Sequence, residues 1–158
     1  MKLFIKRDIS DTDSAFTVFD ELGCEKYYAV FTKAKSRNNL VLTDTQNNVV
    51  AAIRRLPLVG AKSFVLKAGK AHLTFVIVIT SKGVYCNFYG NNWHINGDIA
   101  SKNFSIFDVD NSVISTHKNC INSSEINIFD KSNELFCIAT SICLSLINTV
   151  DKLAIQAV

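Results

Sequence analysis

Leu135-Phe-Cys-Ile-Ala-Thr-Ser-Ile-Cys-Leu-Ser-Leu-Ile147 is the run whose reading decides the fold of this chain. Each residue in it is apolar, small or hydroxylic, with Glu134 in front and Asn148 and Asp151 behind. Wound as an α-helix it has no polar face, because Leu135, Ile138, Ile142 and Ile147 point away from Phe136, Leu144 and Leu146. A helix that is apolar all round is either a membrane span or is wrapped by protein on every side. This run is shorter than the roughly 20 residues a bilayer requires, and charge closes both ends. The expectation is a buried central helix over about 133–149, with Asn133 or Ser132 as N-cap and Glu134 as a favourable first-turn charge. The rest of the chain is then its wrapper.

Upstream, the wrapper reads as strands. Phe, Val, Ile, Thr and Tyr recur in short runs broken by Asn, Asp, Gly and Ser, and Pro57 is the one proline. The clearest run, Leu73-Thr-Phe-Val-Ile-Val-Ile79, is apolar at alternate and intervening positions alike, which predicts a strand covered on both faces. Four segments share the form apolar-x-apolar-x-Asp-x-x-(Gly or Asn). They are Phe16 to Gly23, Leu40 to Asn47, Phe104 to Asn111 and Ile126 to Asn133. Alternation buries one face of each strand, Asp20, Asp44, Asp108 and Asp130 cap amides at the turn, and Gly or Asn accepts the left-handed conformation there. The first two copies lie 24 residues apart (20 to 44) and the last two 22 apart (108 to 130), so the chain reads as two related halves of paired hairpins. In the fourth copy the same turn leads into the helix. A sheet of about twelve antiparallel strands curls and closes on itself, with its inner face on that helix. The fold class is therefore mainly β, a closed barrel around a C-terminal helix.

Composition bounds the function. The 158 residues, 48% hydrophobic and 20% charged, fit a single globular domain over 1–158. A net charge of +3 is compatible with an anionic surface but lacks the concentrated positive charge of a nucleic-acid binder. Cys24, Cys86, Cys120, Cys137 and Cys143 are odd in number and form no CxxC pair, as expected of thiols in a reducing cytoplasm. The opening Met1 to Arg7 runs straight into charge, so neither a signal peptide nor a transmembrane segment is expected.

Over nearly its whole length the chain resembles the LURP-one-related family, in the tubby C-terminal-like superfamily, and its small bacterial-type single-domain members in particular. The resemblance is carried by Met1-Lys-Leu-Phe-Ile-Lys6, Phe16-Thr-Val-Phe-Asp20, Leu40-Val-Leu-Thr-Asp44 with Val49-Val-Ala-Ala-Ile53, Trp93-His-Ile-Asn-Gly-Asp-Ile99, Phe104-Ser-Ile-Phe-Asp108, and Ile126-Asn-Ile-Phe-Asp130 leading into the apolar helix. It implies a twelve-stranded closed sheet around a central helix. It also implies a non-enzymatic module, since tubby-type domains bind phosphoinositides through basic side chains and tether proteins to membranes.

Lys33-Ala-Lys-Ser-Arg37 is the leading candidate site. Extended, it projects Lys33, Lys35 and Arg37 from one face, where three cations suit phosphates. Arg54 and Arg55, which we read as closing the neighbouring hairpin, are candidates to join them, and Lys62, Lys67 and Lys70 follow. The competing reading of these cations is a solvated edge that resists aggregation. His72, His94 and His117 share no metal-ligand spacing and are expected at the surface or partly buried. GxSxG, P-loop, HExxH and GxGxxG motifs are all missing. Trp93 is expected in the core, and the two helix cysteines are expected to be inert. No catalytic residue, metal or cofactor is expected. The function expected is a cytoplasmic module, peripheral to the membrane, that binds anionic phospholipid head groups. The alternative is a protein-interaction or structural module without lipid affinity.

Overall fold

The computed structural model describes residues 1–8, 14–32 and 39–147. Twelve strands precede the helix. They are β1 (Lys2–Arg7), β2 (Ser14–Asp20), β3 (Glu25–Phe31), β4 (Asn39–Asp44), β5 (Val49–Leu58), β6 (Ala61–Ala68), β7 (Ala71–Thr80), β8 (Gly83–Tyr89), β9 (His94–Asp98), β10 (Asn103–Phe107), β11 (Val113–Asn119) and β12 (Ser124–Ile128). They form one sheet in the order β8-β7-β6-β5-β4-β3-β2-β1-β12-β11-β10-β9. A single 3-10 turn, Lys131–Asn133, then delivers the chain into α1 (Glu134–Ser145), somewhat shorter than the expected span.

The helix is central, as its composition requires. Cys137 to Leu144 are buried without a break, so no face of that segment meets solvent. Its hydroxyls are satisfied within the helix, Thr140 Oγ1 donating to the Phe136 carbonyl at 2.8 Å and Ser145 Oγ to that of Ser141 at 3.0 Å. Alternate strand residues close around it, among them Leu3 and Ile5, Leu40 and Leu42, Phe75 and Ile77, and Ile126 and Ile128.

The four repeated turns behave alike up to the last. Asp20 Oδ1 accepts from the amides of Leu22 and Cys24, and Asp44 Oδ1 from those of Gln46 and Asn48, each at 2.9 Å. Gly23, Asn47 and Asn111 adopt left-handed φ values of 80°, 64° and 64°. In the fourth copy Asn133 has φ −103° and makes no side-chain cap. The cap comes from Asp130 instead, which accepts from the Ser132 amide at 3.0 Å and from the Asn133 side chain at 2.9 Å. With no returning strand after β12, β1 takes that edge, pairing Leu3 with Ile126.

Two expectations need correction. The barrel is nearly closed rather than closed: β8 and β9 are the two ends of the sheet, with no ladder between them. Trp93 fills the turn between them, edge-on to Phe88 at 5.7 Å and to Phe136 of α1 at 6.3 Å. In the same hairpin arm, Gly97 has φ +126°, and a Cβ there would lie 2.7 Å from the Asn103 carbonyl oxygen. Only glycine fits. The second correction concerns β7, where Leu73, Phe75 and Ile77 are buried but Thr74, Val76 and Val78 are only partly so. Its outer face is half-covered because no layer lies outside the barrel wall.

Candidate functional site

Antiparallel pairing throughout gives the barrel two rims. At the upper rim β2, β4, β10 and β12 end and α1 begins; at the lower rim β1, β5 and β11 end and α1 finishes. The repeat places its aspartates on the upper rim by construction, since each terminates an even-numbered strand. Asp20, Asp44, Asp108 and Asp130 are joined there by Glu21, Glu25, Asp110 and Glu134. Lys26 reaches into this group and binds Glu134 Oε1 at 2.9 Å. Hydrogen bonds from Asn48, Ser112 and Ser132 hold Asp44, Asp110 and Asp130 below the usual carboxylate range.

The lower rim has the opposite sign. Lys6 and Arg7 end β1, Lys62 opens β6, Lys82 and Lys102 sit in turns, and Lys118 lies near the end of β11. Against them the described part of this rim sets Asp8 and Asp98, and Asp98 is turned to its own loop, accepting from the Ser101 amide at 3.1 Å.

Of the basic residues read from the sequence, Lys33, Lys35 and Arg37 lie outside the described residues. The chain on either side, Phe31 ending β3 and Asn39 opening β4, is at the lower rim. Arg54 and Arg55 are both exposed, but they lie within β5 rather than at its turn, which falls at Val59 and Gly60. As consecutive strand residues they project to opposite faces: Arg54 pairs with Val65, Arg55 with the buried Phe64. Lys62 is at the lower rim, whereas exposed Lys67 and Lys70 are at the upper one. Arg7 and Lys102 were not singled out in the sequence, since nothing in their spacing announces that β1 and the β9–β10 turn meet.

His72 and His94 are exposed, the latter stacked on Phe107 at 5.3 Å. His117 departs from expectation. It is buried on the inner face of β11, stacked on Phe104 at 4.3 Å, with Nε2 2.9 Å from Ser115 Oγ and no partner for Nδ1. Burial pushes its pKa down to about 3, so the ring is neutral. Burial likewise pushes the Cys137 thiol up to about 12 and Cys143 well above its usual value, so neither is a thiolate nucleophile. Among the described residues no His, Cys, Asp and Glu cluster could hold a metal ion. No helix among them is long and apolar enough to cross a membrane.

Three open grooves mark the surface. One follows the β8–β9 seam, where Cys86 and Ile95 show through the gap, and a second crosses the polar outer face of β9 to β12. The third, about 200 Å³, lies at the lower rim between Arg7 and Lys102.

A family model described as LURP-one-related matches residues 1–145. A protein from Arabidopsis thaliana, solved by X-ray crystallography, has a similar structure: TM-score 0.56 and 11% sequence identity, covering 89% of this chain and 91% of that one. At that identity the likeness speaks for the fold alone. No curated protein matches the chain.

Proposed function

Since this chain belongs to the LURP-one-related family, we propose that it is a non-enzymatic module that docks on anionic phospholipid head groups, of the phosphoinositide type, through its lower rim. The observation that carries this reading is the segregation of charge between the two rims. Cations gathered on one end of a barrel make a field that attracts an anionic surface and orients the approach. The acids that would cancel it are held at the opposite end. Their charge there also suits the N-terminus of α1.

Lys33, Lys35 and Arg37 join the contact in this reading, because their segment links β3 to β4 at that rim. Arg54 and Arg55 contribute from the two faces of β5 beside it. Each cation near such a surface contributes on the order of 1 kcal/mol, so several together are needed for stable attachment. The module is then peripheral to the membrane.

Co-sedimentation with neutral and with phosphoinositide-containing vesicles, at low and at moderate salt, tests the reading. The expected result is salt-sensitive binding to the anionic vesicles, lost in a folded variant carrying Lys33→Ala, Lys35→Ala and Arg37→Ala. Failure of the unaltered protein to bind even at low salt would sink it.

A further inference from the structure

We propose that the lower-rim pocket between Arg7 and Lys102 holds a phosphate-type oxyanion, the terminal phosphomonoester of a small ligand or of a lipid head group. This deepens the reading of the lower rim and rests on its basic character, not on contact with a bilayer.

The pocket walls supply two cations and the polar side chains of Asn119, Asn122, Ser123 and Ser124, with no carboxylate. Among the described residues those four side chains have no hydrogen-bond partner, so their donors are available to a guest. Arg7 meets no carboxylate among the described residues. Its guanidinium carbon lies 5.8 Å from the Phe16 ring, a contact that holds the group at the pocket wall before any ligand arrives.

Lys102 is a second, independent observation. It takes φ +62° in the β9–β10 turn, with its amide bonded to the Ile99 carbonyl at 3.1 Å. Glycine or asparagine adopts that backbone at less cost. A lysine kept there puts a cation at the pocket in exchange for backbone strain, a trade characteristic of binding sites. Its neighbour Asp98 does not fill the pocket, being occupied by the Ser101 amide.

One feature opposes an anion: Ser145, at the C-terminal end of α1, also lines the pocket. That end carries about half a negative elementary charge. Two full cations outweigh it.

Size narrows the class. About 200 Å³ accommodates one tetrahedral anion with its hydration and leaves the remainder of a larger molecule outside. Hydroxyl and amide donors around two cations match the several acceptor oxygens of a phosphomonoester better than they match a carboxylate.

The test is an amide-resolved NMR titration of the full chain with inorganic phosphate at constant ionic strength. Saturable shifts confined to Lys102, Asn119 and Ser123–Ser124 are expected. Arg7→Gln, and Lys102→Asn, which suits the left-handed backbone, should each weaken the apparent constant by about tenfold. Shifts that fail to saturate, that spread equally to Lys62 and Lys82, or that survive both substitutions unchanged overturn the proposal.

Vesicles separate the sources of the phosphate. Vesicles carrying phosphatidylinositol 4-phosphate should lose the double variant, while those carrying phosphatidylserine, which has no monoester, retain it equally. Phosphate shifts without binding to either vesicle support the pocket as a site for a soluble phosphomonoester and remove the membrane reading alone. Vesicle binding untouched by the double variant, with no phosphate shifts, removes the pocket and leaves the membrane reading in place.

Discussion

The two rims of the barrel carry opposite charge and use it differently. On the upper rim the aspartates turn inward on their own loops. Asp20 serves the Leu22 and Cys24 amides, Asp44 those of Gln46 and Asn48, and Asp130 that of Ser132. On the lower rim Arg7 meets an aromatic ring, and the polar side chains of the Asn119–Ser124 corner meet nothing among the described residues. A carboxylate whose partners are backbone amides within four residues is part of the turn and is not available to a ligand. A cation without such a local partner keeps its charge for something else. That difference, rather than the modest net charge of +3, is what makes one end of this molecule a candidate interface.

If α1 joins the rims into one cooperative unit, a cavity at its middle should release both together. Ile138→Ala, at a fully buried position, is expected to cost about 2–5 kcal/mol. Urea denaturation followed by circular dichroism and by Trp93 fluorescence should give coincident transitions. Separate transitions would mean that the rims are independent structures and that the comparison between them has no common frame.

Acid separates the interior from the upper rim. His117 has a folded pKa of about 3 against an unfolded value near 6.5, so folding favours the neutral ring. Its contribution is complete above the unfolded pKa and drains away as pH falls from there toward the folded one, at up to about 1.4 kcal/mol per pH unit. The depressed carboxylates Asp44, Asp110 and Asp130 contribute above their unfolded value of 3.8 and lose that contribution only as pH falls below it. Between pH 7 and 5 the upper rim is therefore silent. Urea midpoints should drop by an amount equivalent to about 2 kcal/mol, and His117→Gln should flatten the dependence. An unaltered slope in that variant would assign the acid sensitivity elsewhere.

The smallest effects give the sharpest contrast. Asp20→Ala strips two amides of their acceptor and should cost about 1 kcal/mol, with vesicle binding unaffected. Arg7→Gln should leave stability within about 0.5 kcal/mol and weaken vesicle binding. Thermal denaturation and co-sedimentation on the same two proteins would show whether structure and binding separate by rim.

Much of this architecture could be read along the chain. The four aspartate turns are legible because every bond that makes them closes within four residues. Leu135 to Ile147 is legible because a helix without a polar face can only be enclosed. Trp93 was expected in the core and sits there between Phe88 and Phe136. His117 was not expected to be buried, since strand alternation around a polar residue looks the same whether its face turns in or out. Ser115, two residues away on the same inner face, accompanies it. Val76 and Val78 misled in the other direction, because apolar residues on the outer wall of a barrel imitate a strand covered on both sides.

Local composition thus settled the elements, the turns and the enclosed helix, since those depend on periodicity and on bonds between near neighbours. The tertiary structure alone decided which strands became neighbours. It left β8 and β9 as the unpaired ends, split Lys62 from Lys67 and Lys70 between opposite rims, and set Arg7, Lys102 and Ser123 around one pocket. Alternation along a strand specifies a face but not a partner. The partner follows from the closure of the whole sheet around α1, which is a property of all its strands at once.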